Sequence, residues 1–128
     1  METIVKELEV PVPLAAVWAA LTDPDEINGW MGSDSALFTA EVGQPFALFA
    51  GETTGQVTEV KAPHRLIYTW RQSSWPAEWA DSQVVWELTD DEGITQIRLL
   101  HSGFPNEEER NSHDSGWDEY WLGPMVDY

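Results

Sequence analysis

The stretch QVVWELTDDEGITQIRLLH, residues 83–101, decides how the rest of the chain is read. Val84, Trp86 and Leu88 alternate with polar neighbours, and Thr95, Ile97, Leu99 and His101 repeat the pattern after a break. Alternation with a period of two puts one apolar face on each segment, the mark of a half-buried strand. Asp90-Asp91-Glu92-Gly93 lies between them and reads as a hairpin turn. An antiparallel pair with one apolar face needs something to cover it.

Upstream, Arg65 to Arg71 alternates with Leu66, Tyr68 and Trp70 on one face, and Gln56 to Lys61 is a strand ended by Ala62-Pro63. Phe46 to Ala50 and Ala36 to Glu41 read as short strands joined by Gly43-Gln44-Pro45, with Gly51 to Gly55 as turn material. Ser73 to Ser82 reads as a loop holding Trp75, Pro76 and Trp79, whose rings suit either a contact surface or pocket lid, or a tuck against the sheet edge. At the N-terminus, Thr3 to Val10 alternates as a strand. Leu14, Val17, Trp18 and Leu21 then mark one face of a helix whose first turn suits Pro13. Asp23, Pro24 and Glu26 predict the start of a second, short helix ending near Asn28-Gly29. Downstream, Ser102-Gly103-Phe104-Pro105 breaks the sheet. Asn106 caps a helix with Glu107, Glu108 and Glu109 in its first turn, continuing through Asp114, Trp117, Tyr120 and Trp121 to about Leu122.

The expectation is an α+β fold: a curved antiparallel sheet of six or seven strands wrapped on a long C-terminal helix, with two short helices after the first strand. One domain over 1–128 accounts for the chain, since no linker, repeat or low-complexity tract interrupts it.

The 23 acidic and 6 basic residues give a net charge of −17, which repels nucleic acid and anionic membranes. Lys is nearly absent, so solubility and adaptation to high salt are both readings of the charge. Without cysteine there is no disulfide, thiolate zinc site or thiol nucleophile. No signal-like start or membrane-length apolar run is present, and a cytoplasmic location is expected. Ser-His-Asp spacing, a phosphate-binding glycine loop and His-Glu-x-x-His are all missing, and no cofactor or metal is expected.

The eight tryptophans imply a ring-rich core or a ring-lined pocket. Trp30, Phe46, Tyr68, Trp70, Trp86, Leu99, His101, His113, Trp117, Tyr120 and Trp121 are the residues expected to line a cavity between sheet and last helix. Tyr68, Tyr120 and His101 would orient a ligand. His101 and His113 meeting across that space would be the acid and base of an enzyme, or, with Asp114, part of a metal site; both also read as structural histidines that need only hydrogen-bond partners. His64, after Pro63, reads as exposed.

The phrases Val5-Lys6-Glu7-Leu8-Glu9-Val10-Pro11, Ala16-Val17-Trp18-Ala19-Ala20-Leu21-Thr22, Trp30-Met31-Gly32, Gly55-Gln56-Val57-Thr58-Glu59-Val60, Leu66-Ile67-Tyr68-Thr69-Trp70 and Leu99-Leu100-His101-Ser102-Gly103-Phe104 occur in that order, before His113 and Gly116-Trp117. Together they resemble the bacterial homologues of the C-terminal domain of the activator of heat-shock protein 90 ATPase, within the START-like, or Bet v-like (SRPBCC), helix-grip superfamily. The resemblance covers nearly the whole chain and implies a helix-grip fold with a cavity under the last helix. It implies function only loosely, because the superfamily holds lipid carriers, hormone receptors and cyclases. The resemblance implies a counterpart of the C-terminal domain alone, without the separate N-terminal domain that the eukaryotic activator carries. The chain stops at Tyr128, soon after Gly123-Pro124, which predicts a cavity more open at one end. The resulting expectation is a domain that binds or senses a small hydrophobic or aromatic molecule, as monomer or homodimer. A stress-linked co-chaperone domain with a chaperone partner, and a cavity enzyme using His101 or His113, are the alternatives.

Overall fold

In this computed structural model the described residues are 3–31, 37–39, 41–48, 53–72, 75–76, 78–79, 81–104 and 106–117; the side chains of Trp30, Met31, Ser115 and Gly116 lie outside that set. Strands β1 (Ile4–Val10), β2 (Pro45–Leu48), β3 (Thr53–Lys61), β4 (Arg65–Gln72), β5 (Ser82–Asp91) and β6 (Ile94–Ser102) form one antiparallel sheet in the order β1-β6-β5-β4-β3-β2. Helices α1 (Leu14–Thr22) and α2 (Pro24–Met31) follow β1, and α3 (Glu107–Gly116) follows β6.

The hairpin that opened the reading is present. Trp86 lies opposite Leu99 and Val84 opposite His101, so the inward side chains of the two strands share one face. Glu92 and Gly93 form the two-residue turn, both at positive φ, 52° and 88°. That conformation matches the right-handed twist of the flanking strands. β1 closes the other side of β6, with Ile4 opposite His101 and Leu8 opposite Ile97. A register shift between Val57 and Glu59 bends β3 against β4.

Several boundaries differ from the reading. β3 begins at Thr53, so Thr53, Thr54 and Gly55 are strand rather than turn. A side chain at position 55 would run into the ring of Phe46 and the carbonyl of Thr69, so the glycine is a place where Phe46 lies flat on the neighbouring strand. The strand expected over 36–41 is, among the described residues, a single bridge from Leu37 to Ala47. Ser82 belongs to β5 rather than to the preceding loop. Pro13 is the N-cap of α1, one position before the first turn where it was expected. Asp23 does cap α2, its carboxylate accepting from Asp25 N–H at 2.9 Å, but that helix runs on to Met31.

α1 packs Val17, Ala20 and Leu21 into the core, joined by Ile27 of α2. Buried Thr95 holds the approach to α1 by donating to the Val12 carbonyl at 2.8 Å. α3 begins as expected: the Asn106 side chain accepts from Glu109 N–H at 2.8 Å, and Glu107, Glu108 and Glu109 occupy the dipole-favoured first turn. Lys6 on the inner face of β1 pairs with Asp114 of α3 at 2.5 Å, which ties the helix across the sheet.

Candidate functional site

The covered face of the sheet carries a continuous layer of rings. Phe38, Phe46 and Tyr68 meet at centroid distances of 4.7–5.9 Å. Tyr68 then connects to Trp86, whose indole N–H donates to the Tyr68 hydroxyl at 2.9 Å. Trp86 meets Trp117, the C-cap of α3, edge-on at 5.7 Å, and Trp117 meets Trp70 at 5.0 Å. Alternation along β4, β5 and β6 faces Tyr68, Trp70, Trp86, Leu99 and His101 inward, and the Asn106 cap starts α3 in a phase that turns His113 and Trp117 toward them.

Two of these indoles dock on the two histidines. Trp70 Nε1–H donates to His113 Nε2 at 3.1 Å, and Trp117 Nε1–H donates to His101 Nδ1 at 3.0 Å. An indole nitrogen only donates, so both acceptor nitrogens carry no proton and the tautomers are set. His113 therefore bears its proton on Nδ1 and gives it to the Glu109 carbonyl, 2.8 Å away. His101 bears its proton on Nε2 and gives it to Ser82 Oγ at 2.7 Å, and Ser82 passes its own proton to the Trp70 carbonyl at 2.9 Å.

This wiring decides what the pair can do. A serine nucleophile needs an imidazole nitrogen that accepts its proton. Here the proton runs the other way, from His101 to Ser82, and Trp117 occupies the nitrogen that an orienting carboxylate would hold in a triad. All four ring nitrogens of His101 and His113 are used. Burial holds His101 far below its ordinary range, to about 2, and the neighbouring His113 pushes in the same direction. Burial raises the Tyr68 phenol above its ordinary value, partly offset by the Trp86 hydrogen bond. Among the described residues no group of histidines and carboxylates could hold a metal ion, and Asp114 is engaged by Lys6 and Arg110.

Of the residues expected to line a cavity, the structure gathers Phe46, Tyr68, Trp70, Trp86, Leu99, His101, His113 and Trp117, all buried. The side chain of Trp30, and Tyr120 and Trp121 entirely, lie outside the described residues. Two participants were missed: Ser82 was assigned to a loop, and Phe104, 4.2 Å from His101 by ring centroid, was read as a strand break. Trp75, 5.9 Å from His113, takes the second of its two readings, the tuck against the sheet. Trp75 is buried rather than presented to solvent, and Trp79 is half-buried beside it. Arg71 explains this: its guanidinium donates to the carbonyls of Trp75, Pro76 and Trp79 and to the Asp81 carboxylate, fastening the segment to β4. His64 is exposed as expected, with its Nδ1 3.1 Å from the Leu88 carbonyl.

The opposite face of the sheet is polar. Glu7, Glu9, Glu87, Thr89, Gln96 and Arg98 line a depression there, which offers little to an apolar molecule. No helix among the described residues is long and apolar enough to cross a membrane.

Comparison with known proteins agrees with this architecture. The chain is 26% identical over 114 residues to an uncharacterised protein of Schizosaccharomyces pombe, covering 88% of this chain and 33% of that protein. It is 27% identical over 87 residues to the human activator of 90 kDa heat shock protein ATPase homolog 1, covering 68% of this chain and 25% of the human protein. The chain thus spans a third or less of the length of these relatives. The crystal structure of a heat-shock protein 90 activator from Plasmodium falciparum superposes with a TM-score of 0.89 at 24% identity, covering 98% of this chain and 94% of the other. A family model matches residues 11–128, which hold β2 to β6 and all three helices, and on that match the chain belongs to the family of activator of Hsp90 ATPase homolog 1-like proteins.

Proposed function

We propose that this domain works by binding and not by catalysis, and that its ligand is a small apolar or aromatic molecule held where the sheet meets α3. One observation carries the reading: the buried layer offers ring faces, while both imidazoles are fully engaged with their neighbours. The Tyr68 hydroxyl accepts from Trp86, and no described residue accepts its proton, which leaves a donor for a ligand's polar end. Apolar burial would supply most of the affinity, at about 25 cal/mol per Å² before the costs of association. The layer holds Trp70, Trp75, Trp86 and Trp117, so occupancy is readable in their emission. Titration with naphthalene is expected to give a saturable change in tryptophan fluorescence. A strictly linear, non-saturating response to naphthalene and to larger neutral aromatics counts against the reading.

A second reading is favoured by the relatives: two of them are named as activators of heat-shock protein 90. The domain would then associate with a chaperone of that class through its acidic surface, the net charge of −17 making the association salt-sensitive. Mixing the protein with such a chaperone at 20 mM and at 500 mM salt tests this, about tenfold weakening at high salt being the expected result. Absence of association at low salt ends it.

A further inference from the structure

Three of the buried indoles have acceptors: Trp70 has His113, Trp86 has Tyr68 and Trp117 has His101. Trp75 has none among the described residues. It is only 5% exposed, yet its buried Nε1 has no hydrogen-bond partner among them. A buried N–H left unpaired is costly, and native folds hold few of them.

The ring is also well fixed. It lies between His113, at 5.9 Å and 60°, and Trp79, at 6.0 Å and 63°. Its backbone is held from both sides, Trp75 N–H donating to the Gln72 carbonyl at 3.1 Å while Arg71 grips the carbonyls of Trp75, Pro76 and Trp79.

We propose that Trp75 Nε1–H is the hydrogen-bond donor of a ligand subsite flanked by Trp79 and His113, and that the ligand is a small, neutral, flat aromatic molecule bearing a carbonyl. The inference rests on the binding reading above and narrows it. The donor calls for an acceptor on the ligand. The flanking rings call for a flat apolar body that stacks or meets them edge-on. An anion is disfavoured, because the nearby guanidinium of Arg71 is already shared among three carbonyls and Asp81, and the neighbourhood adds the carboxylates of Asp81 and Glu109. A cation is repelled by the N–H itself. A carbonyl satisfies the donor without bringing charge into a buried place.

The test is a calorimetric titration of the full chain with 2-acetylnaphthalene and with 2-ethylnaphthalene, which share a shape and differ in the acceptor. The ketone is expected to bind about tenfold more tightly, the factor that 1.4 kcal/mol corresponds to. It alone is expected to move the Trp75 indole N–H resonance downfield. In Trp75→Phe the preference is expected to collapse to about one while 2-ethylnaphthalene binds within about twofold of wild type. Equal affinity of the two compounds for the wild type overturns the inference and leaves the apolar site standing; so does a ketone preference that survives in Trp75→Phe. Binding of neither compound overturns both. The wild-type comparison decides the matter even where the variant fails to fold.

Discussion

With Trp117 donating to its Nδ1 and Ser82 accepting from its Nε2, His101 cannot take up a second proton without turning an acceptor against an indole donor. The consequence for stability has a sign. The ordinary histidine value is 6.5, which the unfolded chain adopts, and the folded value is about 2. Below pH 6.5 the unfolded state therefore binds a proton that the folded state refuses, and stability from this residue falls progressively as pH drops toward 2. The loss is about 1.4 kcal/mol per pH unit. His101→Gln keeps an acceptor and a donor without the titration. Urea unfolding between pH 7 and pH 4.5 should show a shallower loss for the variant than for wild type; identical slopes would remove His101 as the cause. Gly55 makes a second prediction at this scale. Gly55→Ala should cost about 1–3 kcal/mol in urea unfolding, because Phe46 or the Thr69 carbonyl must give way. The sequence identified His101 and His113 as the residues to watch and left open whether they act or only support. It could not show their partners, since Trp70 and His113 are 43 positions apart and meet only through the fold.

At the level of elements, alternation and capping signals were enough. β4, β5 and β6 came from period-two patterns, and Asn106 with its three glutamates marked the start of α3. Failures fell where local chemistry and tertiary packing disagree. Thr53-Thr54-Gly55 has turn composition, but Phe46 covers Gly55 across the strand pair and holds it extended. The Trp75 segment has no period to read, and it is buried because Arg71, on a neighbouring strand, supplies the fastening. The β5–β6 turn offers a test of the element account. Glu92 sits at a φ of 52°, which a glutamate adopts at a cost and an asparagine adopts readily. Glu92→Asn should raise stability by about 0.5–1 kcal/mol in denaturant unfolding, without change in ligand response.

Across the whole molecule, two faces of one sheet divide the work. The inner face buries rings under α3. The outer face runs a stripe of alternating charge from Glu7 through Arg98, Glu87 and Arg65 to Glu59, with paired distances of 2.9–3.8 Å where contacts form. Pairs this exposed contribute little individually, at most about 1 kcal/mol. They do place cations among carboxylates in a chain whose net charge is −17. Repulsion among the remaining acids predicts that the thermal midpoint rises with sodium chloride between 0.05 M and 1 M, about 4 °C for each kcal/mol of repulsion relieved. A midpoint that is flat or falls with salt would show that the acidic surface is not under strain. The central claim, that the ring layer under α3 binds a small apolar molecule, is tested most directly by native mass spectrometry of the protein taken from its host, with gentle release of anything bound. The account predicts one discrete co-purifying species, neutral and aromatic or apolar. A protein that emerges empty, and whose tryptophan fluorescence then stays unmoved by neutral aromatic compounds, would contradict it and leave the chaperone reading as the one to pursue.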